Sequence, residues 1–212
     1  MASSMIHLAI TNSIIDELKI DDPFRLRLGC ILPDAAVHGN GHLKIRICDA
    51  TRSTYDFESF REQFGERMKV DGLYLGYYLH LVQDAFYRYY VYSEHDWNPL
   101  IPGHMEKLHR DYELTNEHVA EKYHLEPDMI RPLGLSGEPI LEVAEFDVNG
   151  FVNGIKRQFQ KIDSNEECFF FTRDMADEFI ERAITLCKKE LKNLAEGKPG
   201  MNSLAWSWVR HT

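Results

Sequence analysis

The chain has 212 residues, of which 44% are hydrophobic and 27% charged, a balance that suits an ordinary globular protein with one sizeable core. Its 24 Lys and Arg against 34 Asp and Glu leave a formal charge of −10, which repels polyanions and argues against nonspecific nucleic-acid binding. No segment approaches the roughly 18 apolar residues that a membrane span requires, so no stable membrane association is expected.

The opening stretch, "MASSMIHLAITNSIIDELKI", has no basic n-region, no unbroken apolar h-region and no small-residue cleavage site. It reads instead as a helix, with Met5, Leu8, Ala9, Ile14, Ile15 and Leu18 on one face and His7 beside it. "DPFRLRLGCILPDAAV" predicts a short helix that runs into a turn at Pro33. "HGNGHLKIRIC" reads as a loop because of its two glycines and Asn40. Phe57, Phe60, Phe64 and Met68 recur at three- and four-residue spacings and predict another helix. Residues 71–92 form the central one, and "GHMEKLHRDYELTNEHVAEKY" continues helically with Met105, Leu108, Tyr112 and Val119 near one face.

Residues 125–150 contain three prolines and three glycines, which predict a long irregular connection. The last long helix has Thr172 as its cap, Asp174 in its first turn and a stripe from Met175 through Phe179, Ala183 and Cys187 to Leu194. Lys188, Lys189 and Lys192 complement its negative end, and Gly197 and Pro199 stop it. Trp206 and Trp208 belong to a tail expected to dock on the core, with a pocket lining as the alternative. Cys30, Cys48, Cys168 and Cys187 show no CxxC spacing and read as reduced thiols of a cytoplasmic protein. Without strand alternation or internal repeats, the expected fold is a single all-α domain over residues 1–212.

The central helix, "LYLGYYLHLVQDAFYRYYVY" at 73–92, carries His80 and Asp84 one turn apart among greasy neighbours. Residues at i and i+4 share a helix face, so this pair points where the apolar anchors point. A carboxylate there is costly unless something positive meets it. A local His–Asp hydrogen bond would serve, and so would a metal ion, since imidazole nitrogen and carboxylate oxygen both suit Zn²⁺. The pair has company: His7 on the first helix, Asp34 after Pro33, and His42 closing the Gly-rich loop. Together these are three imidazoles and two carboxylates within the first 84 residues. His38 is a second loop histidine that can exchange roles with His42.

The order of His7, "FRLRLGCILPDA" (24–35), His42, "GLYLGYYLHLVQDAFYRYYV" (72–91) and "LHRDYELTNEHV" (108–119) resembles the zinc-dependent phospholipase C and single-strand nuclease superfamily. It is closer still to the small bacterial proteins described as zinc-dependent phospholipase C family hydrolases. The matching stretches end at residue 119.

The resemblance implies a helical fold that clamps one or two Zn²⁺ ions between helices, another divalent metal being the variant, and hydrolyses a phosphoester by attack of metal-bound hydroxide on phosphorus. Asp34, His42, His80 and Asp84 would hold the principal zinc, and Asp84 would bridge to a second shared with His7. Asp34 would also be the catalytic proton acceptor. In the larger secreted enzymes an N-terminal Trp completes the second zinc site. Here residue 1 is Met, so water, another side chain or a processed N-terminus must substitute. A third zinc would need the HxxxE pair His109 and Glu113, whereas the small relatives point to Asp111 and Asn116. Arg88, one turn beyond Asp84, can clamp a phosphate or snorkel past the tyrosines.

Two other designs compete. His95–Asp96 in "EHDW" offers the adjacent His-Asp pair of an HD-type metallophosphohydrolase. A closed metal site would instead make a non-catalytic, metal-stabilised helical binding protein. A di-iron bundle is disfavoured because only one ExxH, Glu121 to His124, is present where two are needed. The expected partner is therefore a small phosphoester.

Overall fold

A computed structural model describes residues 2–18 and 20–209. Its first helix, α1 (Ser4–Ile14), starts where the Ser3 hydroxyl accepts a hydrogen bond from the Ile6 amide. Helix α2 (Pro23–Gly29) has Asp22 as its cap and proline at its first position, where the missing N–H costs nothing. A 3-10 turn at Leu32–Ala35 follows and carries Asp34.

Phe57, Phe60, Phe64 and Met68 are the buried face of α3 (Phe57–Met68). Asp71 caps α4 (Gly72–Arg88), in which 15 of 17 residues are buried. A helix apolar on all sides belongs in the middle of a protein, and α4 indeed packs against α2, α3 and α7 (Arg173–Ala195). A π-helical turn at Tyr89–Glu94 ends it. Helix α5 (His104–Lys122) and α7 both pack on α1. One hydrophobic core runs from Ala2 to Met201.

Helices α2 and α4 approach each other closely. A Cβ on Gly29 would lie 2.1 Å from the Leu73 carbonyl oxygen, and one on Gly76 would lie 2.2 Å from that of Leu26. Only glycine lets two backbones approach this far.

The all-α expectation needs correction. The described residues are 58% helix with seven α-helices, yet 8% is strand, in two small antiparallel sheets. One pairs β1 (Ala36–Gly39) with β4 (Ala144–Phe146). The other runs β2 (Lys44–Ile47), β3 (Arg52–Tyr55), β5 (Trp208–Val209). No strand exceeds four residues, too short for a period of two to stand out from a loop. The hairpin turn between β2 and β3 has positive φ at Cys48, Asp49 and Ala50, none of them glycine, so it carried no turn signal. The C-terminal tail docks as an edge strand on β3.

The irregular connection at 125–150 contains two 3-10 turns and β4, and helix α6 (Val148–Gln158) begins inside it. Gly150 and Gly154 masked that helix, although Asp147 caps it by accepting from the Gly150 amide. Among the described residues, no helix is long and apolar enough to cross a membrane.

Candidate metal centre

Five side chains from four elements meet at the middle of α4. His7 comes from α1, Asp34 from the 3-10 turn after α2, His42 from the loop between β1 and β2, and His80 and Asp84 from α4. His42 Nε2 lies 3.1 Å from Asp34 Oδ1, 3.2 Å from His80 Nε2 and 3.6 Å from Asp84 Oδ2. His80 Nε2 lies 3.6 Å from Asp84 Oδ2 and 3.9 Å from Asp34 Oδ1. Neighbouring ligands around a tetrahedral Zn²⁺ at 2.0–2.2 Å stand about 3.4 Å apart, so these spacings suit a shared cation. On the far side, His7 Nε2 is 3.6 Å from Asp84 Oδ1, and its ring stacks on His80 at 4.0 Å.

Surrounding groups orient the imidazoles. His80 Nδ1 lies 2.8 Å from the Cys30 carbonyl, which only accepts, so Nδ1 carries a proton and Nε2 is the nitrogen that faces the cluster. His7 Nδ1 lies 2.7 Å from Gln83 Oε1, which holds the ring in its orientation. His7 Nε2 is buried with no hydrogen-bond partner. Such a group is destabilising unless a proton or cation reaches it. Outer partners of this kind hold metal-ligating histidines in register.

The carboxylates are held ionised. Burial raises Asp84, but the His7 and His80 imidazoles beside it outweigh that and keep it well below the ordinary value. At Asp34 burial is again opposed, by His80, by the His42 contact and by His7, and the balance is a lowered value. Asp84 also accepts from the Ala2 amide at 3.1 Å through Oδ1 and from the Tyr55 hydroxyl at 3.2 Å through Oδ2. Burial and Asp84 together push Tyr55 well above its usual range, so it stays a donor. Arg88 Nε donates to the same Tyr55 oxygen at 3.0 Å.

His7, His80 and Asp84 are fully buried, whereas the Asp34 and His42 side chains are 13% and 12% exposed. Asp34 also lines a cavity of about 350 Å³ with Val37 from β1 and Phe151, Gly154 and Gln158 from α6. The cluster therefore meets solvent at one edge.

Other candidates lie outside it. Two three-residue groups converge closely enough to hold an ion among the described residues: His7, Asp34 and His80, and His42, His80 and Asp84. The Asp111 carboxylate is consumed by the backbone amides of Phe169, Phe170 and Phe171 at 2.7–2.8 Å, which makes it an anchor for that loop. Glu113 pairs with Arg110, and His109 is exposed beside the Tyr112 ring, so the HxxxE pair faces solvent. Asn116 is buried on α5 and joins neither group. His38 is exposed on β1. His95 packs on Tyr90, Asp96 sits at a positive φ of 51°, and neither joins the cluster.

Gln83, Tyr55, the Cys30 carbonyl and the Ala2 amide escaped sequence reasoning. Their partners lie 76, 29, 50 and 82 residues away, and no local pattern announces such pairs.

No protein-family model, curated protein or solved structure matches this chain.

Proposed function

We propose that this protein holds a divalent cation, zinc foremost, among His7, Asp34, His42, His80 and Asp84, and hydrolyses a small phosphoester in the cytoplasm. The observation that carries the reading is the contact set at 3.1–3.9 Å among nitrogen and oxygen ligand atoms, beside a buried His7 Nε2 that has no partner of its own. The donor set fits zinc, which takes imidazole and carboxylate readily. Asp34, His42, His80 and Asp84 would hold one ion, while Oδ1 of Asp84 and His7 would be available to a second. Bound zinc supplies Lewis-acid charge to a phosphoryl oxygen and acidity to water.

The chain's own residues supply the rest. Asp34 is ionised and touches solvent, so its carboxylate can accept a proton from an attacking water. Cys30 and Gln83 hold His80 and His7 in fixed orientation, so neither must reorganise during reaction. The Ala2 amide and Tyr55 hydroxyl satisfy Asp84 and keep it from accepting that proton. The phospholipase C resemblance of residues 7–119 points to the same chemistry, with a soluble phosphoester at least as plausible a substrate as a lipid.

One observation favours the alternative of a metal-stabilised binding protein: three of the five ligand side chains are fully buried, as in closed structural sites. Elemental analysis of the purified protein beside Asp84→Ala tests the metal. Zinc in the parent and none in the variant is expected; retention by the variant refutes the site. Hydrolysis of bis(4-nitrophenyl) phosphate, with and without a chelator, then separates enzyme from binding protein.

A further inference from the structure

A second cavity, of about 570 Å³, lies where the end of α4 meets the β2–β3–β5 sheet. Lys44, Arg52 and Arg88 line it, and among the described residues no carboxylate does, although the chain as a whole carries −10. Four aromatic side chains, Tyr89, Tyr92, Trp206 and Trp208, share its wall with small polar and aliphatic residues. None of the five cluster residues lines it.

Arg88 is the informative member. Its guanidinium lies over the Trp208 ring at 4.1 Å and near the Tyr92 ring at 5.7 Å. Nε is used by Tyr55, but among the described residues neither Nη has a hydrogen-bond partner or a carboxylate within ion-pair reach. Half-buried guanidinium groups ordinarily find an anion. Stacking on Trp208 holds the fork in place and leaves its outer edge free for two oxygens of an anion. Arg52 contributes charge while its Nε and Nη2 donate to the Ser207 hydroxyl and carbonyl.

We propose that this cavity is a binding site for an organic phosphate or phosphonate carried on an aromatic ring, with Arg88 meeting the anion and the tryptophan–tyrosine wall meeting the ring. The same composition rejects a quaternary ammonium group, which needs aromatic faces without competing cations. The net negative charge of the chain likewise rejects an extended polyanion but not a small one. The site goes beyond the hydrolase reading and does not need it. It is two hydrogen bonds from Asp84, through Tyr55.

Phenylphosphonate titrated into chelator-treated full-length protein, followed by tryptophan fluorescence and calorimetry, tests the site without any metal in the cluster. We expect saturable binding at least about tenfold tighter than inorganic phosphate, the margin expected for one stacked ring. Arg88→Gln should weaken it at least about tenfold, as for a lost charge-assisted pair. Because Arg88 also touches Tyr55, Ala205→Glu at the exposed rim supplies a second variant, which should weaken binding by repulsion without disturbing the core. Absence of saturable binding, or affinity unchanged in both variants, overturns the proposal. Equal affinity for inorganic phosphate overturns its aromatic half. Binding here with no zinc in the cluster would sustain the cavity and defeat the hydrolase; zinc and turnover without binding here would do the reverse.

Discussion

Replacing Gly76 by alanine should force α2 away from α4 and loosen the anchor of His80. The new methyl would sit 2.2 Å from the Leu26 carbonyl oxygen and 2.8 Å from the Cys30 amide, both backbone atoms that no rotamer change can move. Ordinary contact begins near 3.4 Å, so the helices must part by about 1.2 Å, a large shift for a close-packed interior. Such overpacking costs roughly 1–3 kcal/mol. The same movement stretches the 2.8 Å bond from His80 Nδ1 to the Cys30 carbonyl beyond useful length, forfeiting about 1 kcal/mol more. Alanine returns only about 0.5–1 kcal/mol through its better helix propensity. The net loss is about 1–3 kcal/mol, which for a chain of this size lowers Tm by roughly 2–12 °C.

Gly65→Ala makes the control. It is the same chemical change in the interior of α3, with nothing within 4 Å of the added carbon, so it should raise Tm slightly. Circular-dichroism melts of both variants and the parent decide the matter. Zinc titration of Gly76→Ala should in addition show weaker uptake, because a ligand displaced by about 1 Å no longer converges. If Gly76→Ala melts with the parent, or shifts as Gly65→Ala does, the account of the α2–α4 contact is wrong.

Three further outcomes are expected. Zinc at about a hundredfold over its Kd should stabilise the protein by about 2.7 kcal/mol and raise Tm by roughly 5–10 °C, reversibly with chelator; a flat melt would remove the metal from the cluster. Asp111→Ala strands the amides of Phe169, Phe170 and Phe171, and should cost about 2–4 kcal/mol in urea unfolding while zinc content stays unchanged. Loss of zinc with that variant would return Asp111 to the site. At Asp71, burial raises the pKa, but the paired hydrogen bonds from Arg25 at 2.6 and 2.8 Å and the Leu73 amide outweigh it, leaving it lowered. Its contribution is therefore complete above the unfolded value near about 3.9 and disappears as pH falls through the folded value. The stability gap between the parent and Asp71→Asn, which keeps the cap and loses the charge, should be open at pH 7 and close below about pH 4. A gap that persists in acid would deny Asp71 that role.

Much of this molecule was legible along the chain because the signals are local. Thr172 and Gly197 bracket α7, and the Phe57, Phe60, Phe64 and Met68 spacing marks the buried face of α3. His80 and Asp84 share a face because a helix repeats every 3.6 residues, wherever the helix lies. The convergence of His7, Asp34 and His42 on that face is a different kind of fact. It depends on how α1, α2 and the β1–β2 loop dock around α4, and glycines at 29 and 76 set that distance through a contact no spacing rule encodes. Asp111 and Arg88 make the same point. One turn of α5 delivers Asp111 to a loop 58 residues later, and the tail strand returns Trp208 to cover Arg88. Periodicity reports which way a side chain points along its own element, but what it meets there is decided by long-range packing, in which partners are chosen by shape and burial across the whole chain.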